Sequence, residues 1–245
     1  MNAKSTQLPV HLGKLTRREF RERMQEGQLA ACIIPVAAVE QHLEHLAMEH
    51  DWRSTVLVAE RVARKLAPRV LVASGLMAGI SEHHMRHPGT LSLRPGSFLA
   101  VLSDLIDSMV RAGFKNVLVL NGHGGNVAAC QAVWDQMLRI AQVNLHFLSY
   151  WDVLDADDAR LLVGGQRLPD DLPGHAQEFE TSIALAAFAE NVRREICSDQ
   201  FDTMPGLATA ETGEAFLQRI VDRVSDYVTE MIDGRRVNDV PPYFP

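Results

Sequence analysis

Short apolar runs of strand length alternate along this chain with longer stretches whose apolar residues recur every three or four positions. Residues 30–36, 70–73, 116–120 and 145–148 are largely apolar runs, with Asn116 and His146 the polar members, of the kind that form strands buried on both faces. Between them, residues 52–66, 97–112 and 126–142 carry helical spacing: Val58, Val62 and Leu66 in the first, and Leu99, Leu102, Leu105, Ile106 and Met109 in the second. The order βαβαβαβ predicts an α/β fold, a three-layer α/β/α sandwich around a mostly parallel central sheet. Right-handed crossovers then gather the strand C-termini, and the loops after them, on one edge. Residues 177–189 and 211–231 read as two further helices, the second striped by Phe216, Ile220, Val224 and Val228. The interspersed basic run 14–23 reads as an N-terminal helix. Residues 155–173, rich in Asp, Gly and Pro, predict a short helix and an excursion over the active edge. The Pro-containing tail 237–245 is expected to lie extended on the surface or against a neighbouring subunit. With no repeat and no linker, a single domain over residues 1–245 is expected.

The shared strand edge collects the polar chemistry. After the first strand, residues 40–51 read Glu-Gln-His-Leu-Glu-His-Leu-Ala-Met-Glu-His-Asp. Carboxylates and imidazoles at that density suit a divalent-metal site; a solvated helix face is the structural alternative. After the second strand comes Ser81-Glu-His-His-Met-Arg-His-Pro-Gly-Thr90. There His84 reads as a substrate contact or a support for ligands, and His83 and His87 as surface residues. After the third comes Asn121-Gly-His-Gly-Gly-Asn126, whose glycines allow close backbone approach and whose His123 can point at a metal. A plain glycine turn with Asn126 as helix N-cap is its alternative. Trp151 follows the fourth strand. Gly174-His-Ala-Gln-Glu-Phe-Glu-Thr-Ser182 places Glu178 and Glu180 in a first helical turn, where the helix dipole favours acids whether or not they bind a metal.

Composition narrows the functional classes. The apolar fraction of 47% and charged fraction of 22% suit a globular core. A net charge of −7 without any Lys/Arg block argues against nucleic acid as a partner. No apolar run approaches the roughly 18 residues of a membrane span, and no signal peptide opens the chain, so a soluble cytoplasmic protein without membrane partners is expected. Cys32, Cys130 and Cys197 are widely spaced and read as buried reduced thiols.

Four motifs together resemble the creatininase (creatinine amidohydrolase) family: Glu40-Gln-His42 with Asp51, Ser81-x-x-His84-x-x-x-Pro-Gly-Thr90, Asn121-Gly-His-Gly-Gly-Asn126, and His175-Ala-x-Glu-x-Glu-Thr-Ser182. Their order and spacing agree over residues 30–190. The resemblance implies two divalent ions per subunit (Zn, Mn or Fe), hydrolysis of cyclic amides, formamides or related C–N bonds in a small molecule, and a homo-oligomer, often a hexamer. Carried over, Glu40 and His123 look like ligands of one ion, His42 of the second, and Asp51 the bridge. His175 resembles the proton-shuttling histidine, and Ser81, His84, Gly124 and Trp151 are expected to face substrate.

Departures shift the expectation. Creatinine-hydrolysing members place a tyrosine and a metal-binding glutamate after the histidine matching His123, where this chain has Gly124 and Gly125. The second ion's carboxylate must then come from elsewhere, with Glu178 expected ahead of Glu180 as ligand and catalytic group. The tryptophan expected before His175 is missing, which points away from creatinine. Leu43-Glu44 stands where the family commonly has glycine and a small or neutral residue. A metal-dependent lactonase or isomerase acting on a sugar-derived or other oxygen substrate, and a structural metal protein, are the competing classes.

Overall fold

The computed structural model describes residues 8–160 and 172–238. Strands β1 (Ala31–Val36), β2 (Val70–Val72), β3 (Asn116–Asn121) and β4 (Asn144–Ser149) form a wholly parallel sheet in the order β2-β1-β3-β4. Alternate residues of each strand face opposite ways, so β1, buried along its whole length, feeds two cores. Ile33 joins Val58, Val62, Phe179, Phe216 and Ile220 from helices α2 (His50–Lys65), α6 (Glu178–Ala187) and α7 (Ala210–Ile232). Cys32 and Ile34 join Phe98, Leu102, Ile106, Cys130 and Leu138 from α3 (Pro95–Arg111) and α4 (Val127–Ala141). Helix α1 (Arg17–Gln25) packs Phe20 and Met24 on that second face, and its start is closed by a Thr16–Glu19 capping box. The α/β/α sandwich is therefore the observed fold. Each fully buried Val or Phe in these layers contributes about 1.5–3 kcal/mol through removal from water.

One boundary and one cap differ from expectation in ways that matter. Helix α2 starts at His50 rather than at residue 52, which brings Asp51 into its first turn, beside the unpaired N–H groups and positive end of the dipole. Asn126 stands at the N-cap position of α4, yet its side chain makes no cap bond. It staples three loops instead: Oδ1 accepts from Ile80 N (2.9 Å), and Nδ2 donates to Ala37 O (3.2 Å) and Asn121 Oδ1 (3.1 Å). The expected short helix after residue 155 is α5 (Ala156–Ala159); the excursion over residues 161–171 and the tail 239–245 lie outside the described residues. All three cysteines are buried and unpaired. No helix among the described residues is long and apolar enough to cross a membrane.

At the β4 edge, His146 accepts from or donates to fixed partners on both sides: Tyr227 Oη lies 2.7 Å from Nδ1, and Asn144 Oδ1 lies 2.8 Å from Nε2. Burial, aided by the nearby Arg236 guanidinium, pulls its pKa from 6.5 down to about 4. A depressed histidine contributes full stability above pH 6.5 and loses it as the pH falls toward 4, because the unfolded chain takes up the proton first. Between pH 7.5 and 5.0 this linkage is worth about 2 kcal/mol. Urea unfolding is expected to show wild-type protein losing about that much more than His146→Gln over the same interval. Equal losses in the two proteins would place the acid sensitivity elsewhere.

Candidate metal centre

The loops after β1, β2 and β3 and the start of α6 meet at the C-terminal edge of the sheet. Residues 40–48 close on themselves, Glu40 N donating to Met48 O (3.1 Å), and His42 pairing with Leu46. The turn requires Leu43 at φ +54°, a left-handed position that favours glycine. Leu43 N is held there by Gln41 Oε1 (3.0 Å). Ala176, just before α6, is likewise at φ +54°, and its N–H donates to Glu180 Oε2 (2.6 Å). Left-handed residues other than glycine cost of order 1–3 kcal/mol each and concentrate at functional sites.

Glu40, His42, Asp51, His123 and Glu180 are all at most 4% exposed. Asp51 sits in the middle. Its Oδ1 lies 3.0 Å from His42 Nε2, and its Oδ2 lies 3.1 Å from His123 Nδ1. On the His123 side stands Glu40, with Oε1 at 3.3 Å from Nδ1; on the His42 side stands Glu180, with Oε2 at 3.7 Å from Nε2. The outer nitrogen of each histidine is committed. His123 Nε2 donates to Ile80 O (2.9 Å), and His42 Nδ1 donates to Glu40 O (3.0 Å). A carbonyl can only accept, so in the neutral ring the inner nitrogen presents a lone pair to the carboxylates. That arrangement repels unless a proton or a metal cation stands between them.

The titration behaviour has the same origin. Burial pulls His123 and His42 down, but the surrounding carboxylates outweigh it. Asp51 and Glu40 hold His123 up to about 10, and Asp51 with Glu180 holds His42 up to about 9. Burial would raise Asp51, and the two imidazoles overcome it, holding the carboxyl well below its usual range. Glu180 is pushed upward, by burial first and then by the Asp51 and Glu40 charges, against the pull of His42. No lysine or arginine among the described residues lines this cavity. Asp51 Oδ2 is buried without a hydrogen bond, for His123 Nδ1 is near it but not aligned with it. Buried carboxylates left unbalanced in this way fit a divalent-metal centre, and so does the donor set of imidazole and carboxylate.

Around this cluster lies a cavity of about 290 Å³, on whose wall stand Gly124, Trp151, His84 and His175 together with Glu40, Asp51, His123 and Glu180. His175 faces Glu40 Oε1 through Nδ1 (3.6 Å), and His84 faces the same oxygen through Nε2 (3.9 Å). Burial, then the neighbouring His42, pulls His175 down to about 4.

The geometry departs from expectation at Glu180, Ser81 and His83, and it adds Gln41 and His45. Glu180, not Glu178, joins His42 and His175 in a cluster of ligand atoms. The two acids are two helical positions apart, hence about 200° around the axis, so only one can face the site. The Ala176 N–H turns Glu180 toward it. Ser81 is fully buried behind the cavity wall, its hydroxyl donating to Glu40 Oε2, so it braces the Glu40 carboxylate and does not line the cavity. His83 is exposed, as expected, but lines the cavity and stacks on His123. Gln41, given no role from sequence, uses its whole amide: Oε1 accepts from Leu43 N, while Nε2 donates to His84 Nδ1 (3.0 Å) and His175 Nε2 (2.7 Å). Its position between Glu40 and His42, both drawn inward, was the available signal. His45 also gains a place, bonding Thr181 Oγ1 (2.8 Å) and so tying the 40–51 loop to α6.

Fold and site together define an α/β/α protein with a candidate metal centre at its strand C-termini. Residues 13–206 match the family described as creatininase, creatinine amidohydrolase. The chain belongs to that family. It is 28% identical to creatinine amidohydrolase of Pseudomonas putida over 90% of this chain and 96% of that one. It is also 28% identical to 3-dehydro-scyllo-inosose hydrolase of Thermotoga maritima, over 78% of this chain and 60% of that one. Among solved structures, a mutant creatininase of Zn–Zn type superposes with a TM-score of 0.78 at 27% identity, covering 91% of this chain and 98% of the other; a manganese form gives 0.77.

Proposed function

We propose that this protein is a metal-dependent hydrolase that cleaves a C–N bond of a small cyclic amide, ureide or formamide. The observation that carries the reading is Asp51, whose two carboxylate oxygens divide between two histidine–carboxylate pairs. Glu40, Asp51 and His123 would hold one divalent ion, and His42, Asp51 and Glu180 the other, with Zn, Mn or Fe as the candidates. Bound there, such ions lower the pKa of water and polarise a carbonyl. Asp51 fixes the separation of the two halves, and the outer bonds of His42 and His123 fix their tautomers. Ser81 and the Ile80 carbonyl hold the Glu40–His123 half in place. His175 is the group placed to move a proton, with Nδ1 on the cavity side; because the Gln41 amide N–H can donate only to an unprotonated ring nitrogen, the ring takes up a proton from water and passes one to a departing nitrogen only when Nε2 is released from Gln41. Trp151 and the bare Gly124 backbone shape the substrate wall. Supporting the reading, the amidohydrolase relative spans nearly the whole chain. A homo-oligomer, of hexameric form in keeping with the family, and a cytoplasmic location complete the proposal.

A second reading, hydrolysis or isomerisation of a sugar-derived oxygen substrate at the same site, draws support from the inosose hydrolase relative. One experiment decides between them. Purified protein is analysed for metal, reloaded with zinc or manganese, and screened against lactams, cyclic ureides, formamides and sugar lactones. Release of ammonia, an amine or a new amino group is expected; turnover of lactones alone would favour the second reading, and full activity without any divalent ion would overturn both.

A further inference from the structure

Among the imidazoles of the cavity, His83 is the one whose ring nitrogens are not engaged by any described residue. His42 and His123 spend one nitrogen on a carbonyl and turn the other inward, and Gln41 holds both His84 and His175. His83 stands on the 3-10 turn Glu82–His84, directly after the buried Ser81. Its ring lies parallel to that of His123, at 12° and 5.8 Å between centroids. One ligand atom each of Glu40, His83 and His123 lie within 4.8 Å of one another. Neighbouring ligands on one tetrahedral zinc ion stand about 3.4 Å apart, so an inward shift of about 1 Å by each side chain would bring the three onto one ion. An exposed residue on a short turn has that freedom.

Gly125 makes the room. A Cβ there would stand 2.9 Å from His83 Cε1, 2.5 Å from His123 Nε2 and 2.1 Å from the Ile80 carbonyl oxygen. Any side chain at position 125 would therefore compete with the His83 imidazole for the space beside His123. The two features belong together: the bare backbone at 125 and the imidazole over it.

We propose that His83 is a further ligand of the ion held by Glu40, Asp51 and His123, supplied from the 81–84 turn across the gap that Gly125 leaves open. The inference rests on the metal reading given above. An imidazole adds a neutral, softer donor than a carboxylate would, which tilts this half of the site toward zinc over manganese.

The test is metal binding, read apart from turnover. Wild type, His83→Ala, His83→Glu and the control His87→Ala are dialysed against zinc or manganese, analysed for stoichiometry, and titrated with a competing chelator. His83→Ala is expected to keep one zinc ion at wild-type affinity and to bind the other at least tenfold more weakly. His83→Glu is expected to recover the second ion and to raise manganese binding relative to zinc. His87→Ala is expected to match wild type. Cobalt-loaded protein provides a second readout, since loss of an imidazole changes the visible ligand-field bands. Zinc affinities of His83→Ala within twofold of wild type at both sites, with unchanged cobalt bands, would overturn the proposal and leave the metal reading intact. Wild type that binds no divalent ion would overturn both.

Discussion

Asp51→Asn is expected to lower bound metal from two ions to fewer than one per chain and to reduce kcat/KM by at least about a thousandfold, since metal activation supplies several kcal/mol of barrier lowering. The substitution is nearly isosteric, but it replaces an anionic oxygen with an amide nitrogen that has no lone pair to offer. Whichever way the amide turns, one of the two histidines, His42 at 3.0 Å or His123 at 3.1 Å, faces a donor. Both halves of the centre depend on this one side chain, so the loss is not confined to one ion. Circular dichroism should be unchanged, because Asp51 lies in the first turn of α2, and the helix is anchored further along by Val58 and Val62. Adding zinc should raise the melting temperature of wild type and leave that of the variant where it was, since only a folded state that binds the ion is stabilised by it. An Asp51→Asn protein with full metal content and turnover would sink the bridging role.

The sheet was legible in the sequence because its strands are buried on both faces. Residues of β1 and β3 appear as unbroken apolar runs, and no tertiary information is needed to see them. Topology then did the gathering: Glu40 and Asp51 follow β1 and His123 follows β3, far along the chain, yet the C-termini of both strands lie on the same edge. What the pattern could not supply was the direction of individual side chains. Glu178 and Glu180 occupy equivalent first-turn positions by any sequence rule, and only the left-handed Ala176 and its N–H select Glu180. Ser81 is expected at substrate through its resemblance to a substrate-contacting position of the family; in the structure it is buried with its hydroxyl turned to Glu40, a direction that no sequence pattern encodes. Gln41 cannot bind a metal well, so it escaped a search organised by ligand chemistry, although it fixes two imidazoles. Asn126 illustrates the same limit in reverse: the cap position was right, but its side chain serves the loops of the site.

Gly213→Ala gives the second large effect, and two local rules assign it opposite signs. Gly213 lies in the first turns of α7, where alanine should gain about 1 kcal/mol in helix propensity. A Cβ at that position would, however, stand 1.8 Å from the Ser182 carbonyl oxygen and 2.3 Å from its carbon. The obstruction is backbone, which cannot rotate away as a side-chain tip could, so α6 and α7 must separate. Overpacking of this kind costs about 3 kcal/mol or somewhat more, and it outweighs the propensity gain. The net expectation is a fall in melting temperature of about 6 °C or more for a chain of this size. Function should suffer as well, since Ser182 is two residues from Glu180, and Thr181 between them bonds His45. Displacing α6 by even a few tenths of an ångström moves Glu180 relative to His42, so occupancy of the second metal position is expected to drop along with stability. Gly96→Ala, in the first turn of α3 with nothing within 4 Å of its Cβ position, is the internal comparison. There only the propensity difference remains, and a gain of up to about 1 kcal/mol is expected. If the two substitutions shifted stability alike, close helix approach at Gly213 would not be what holds the α6 end of the site in register.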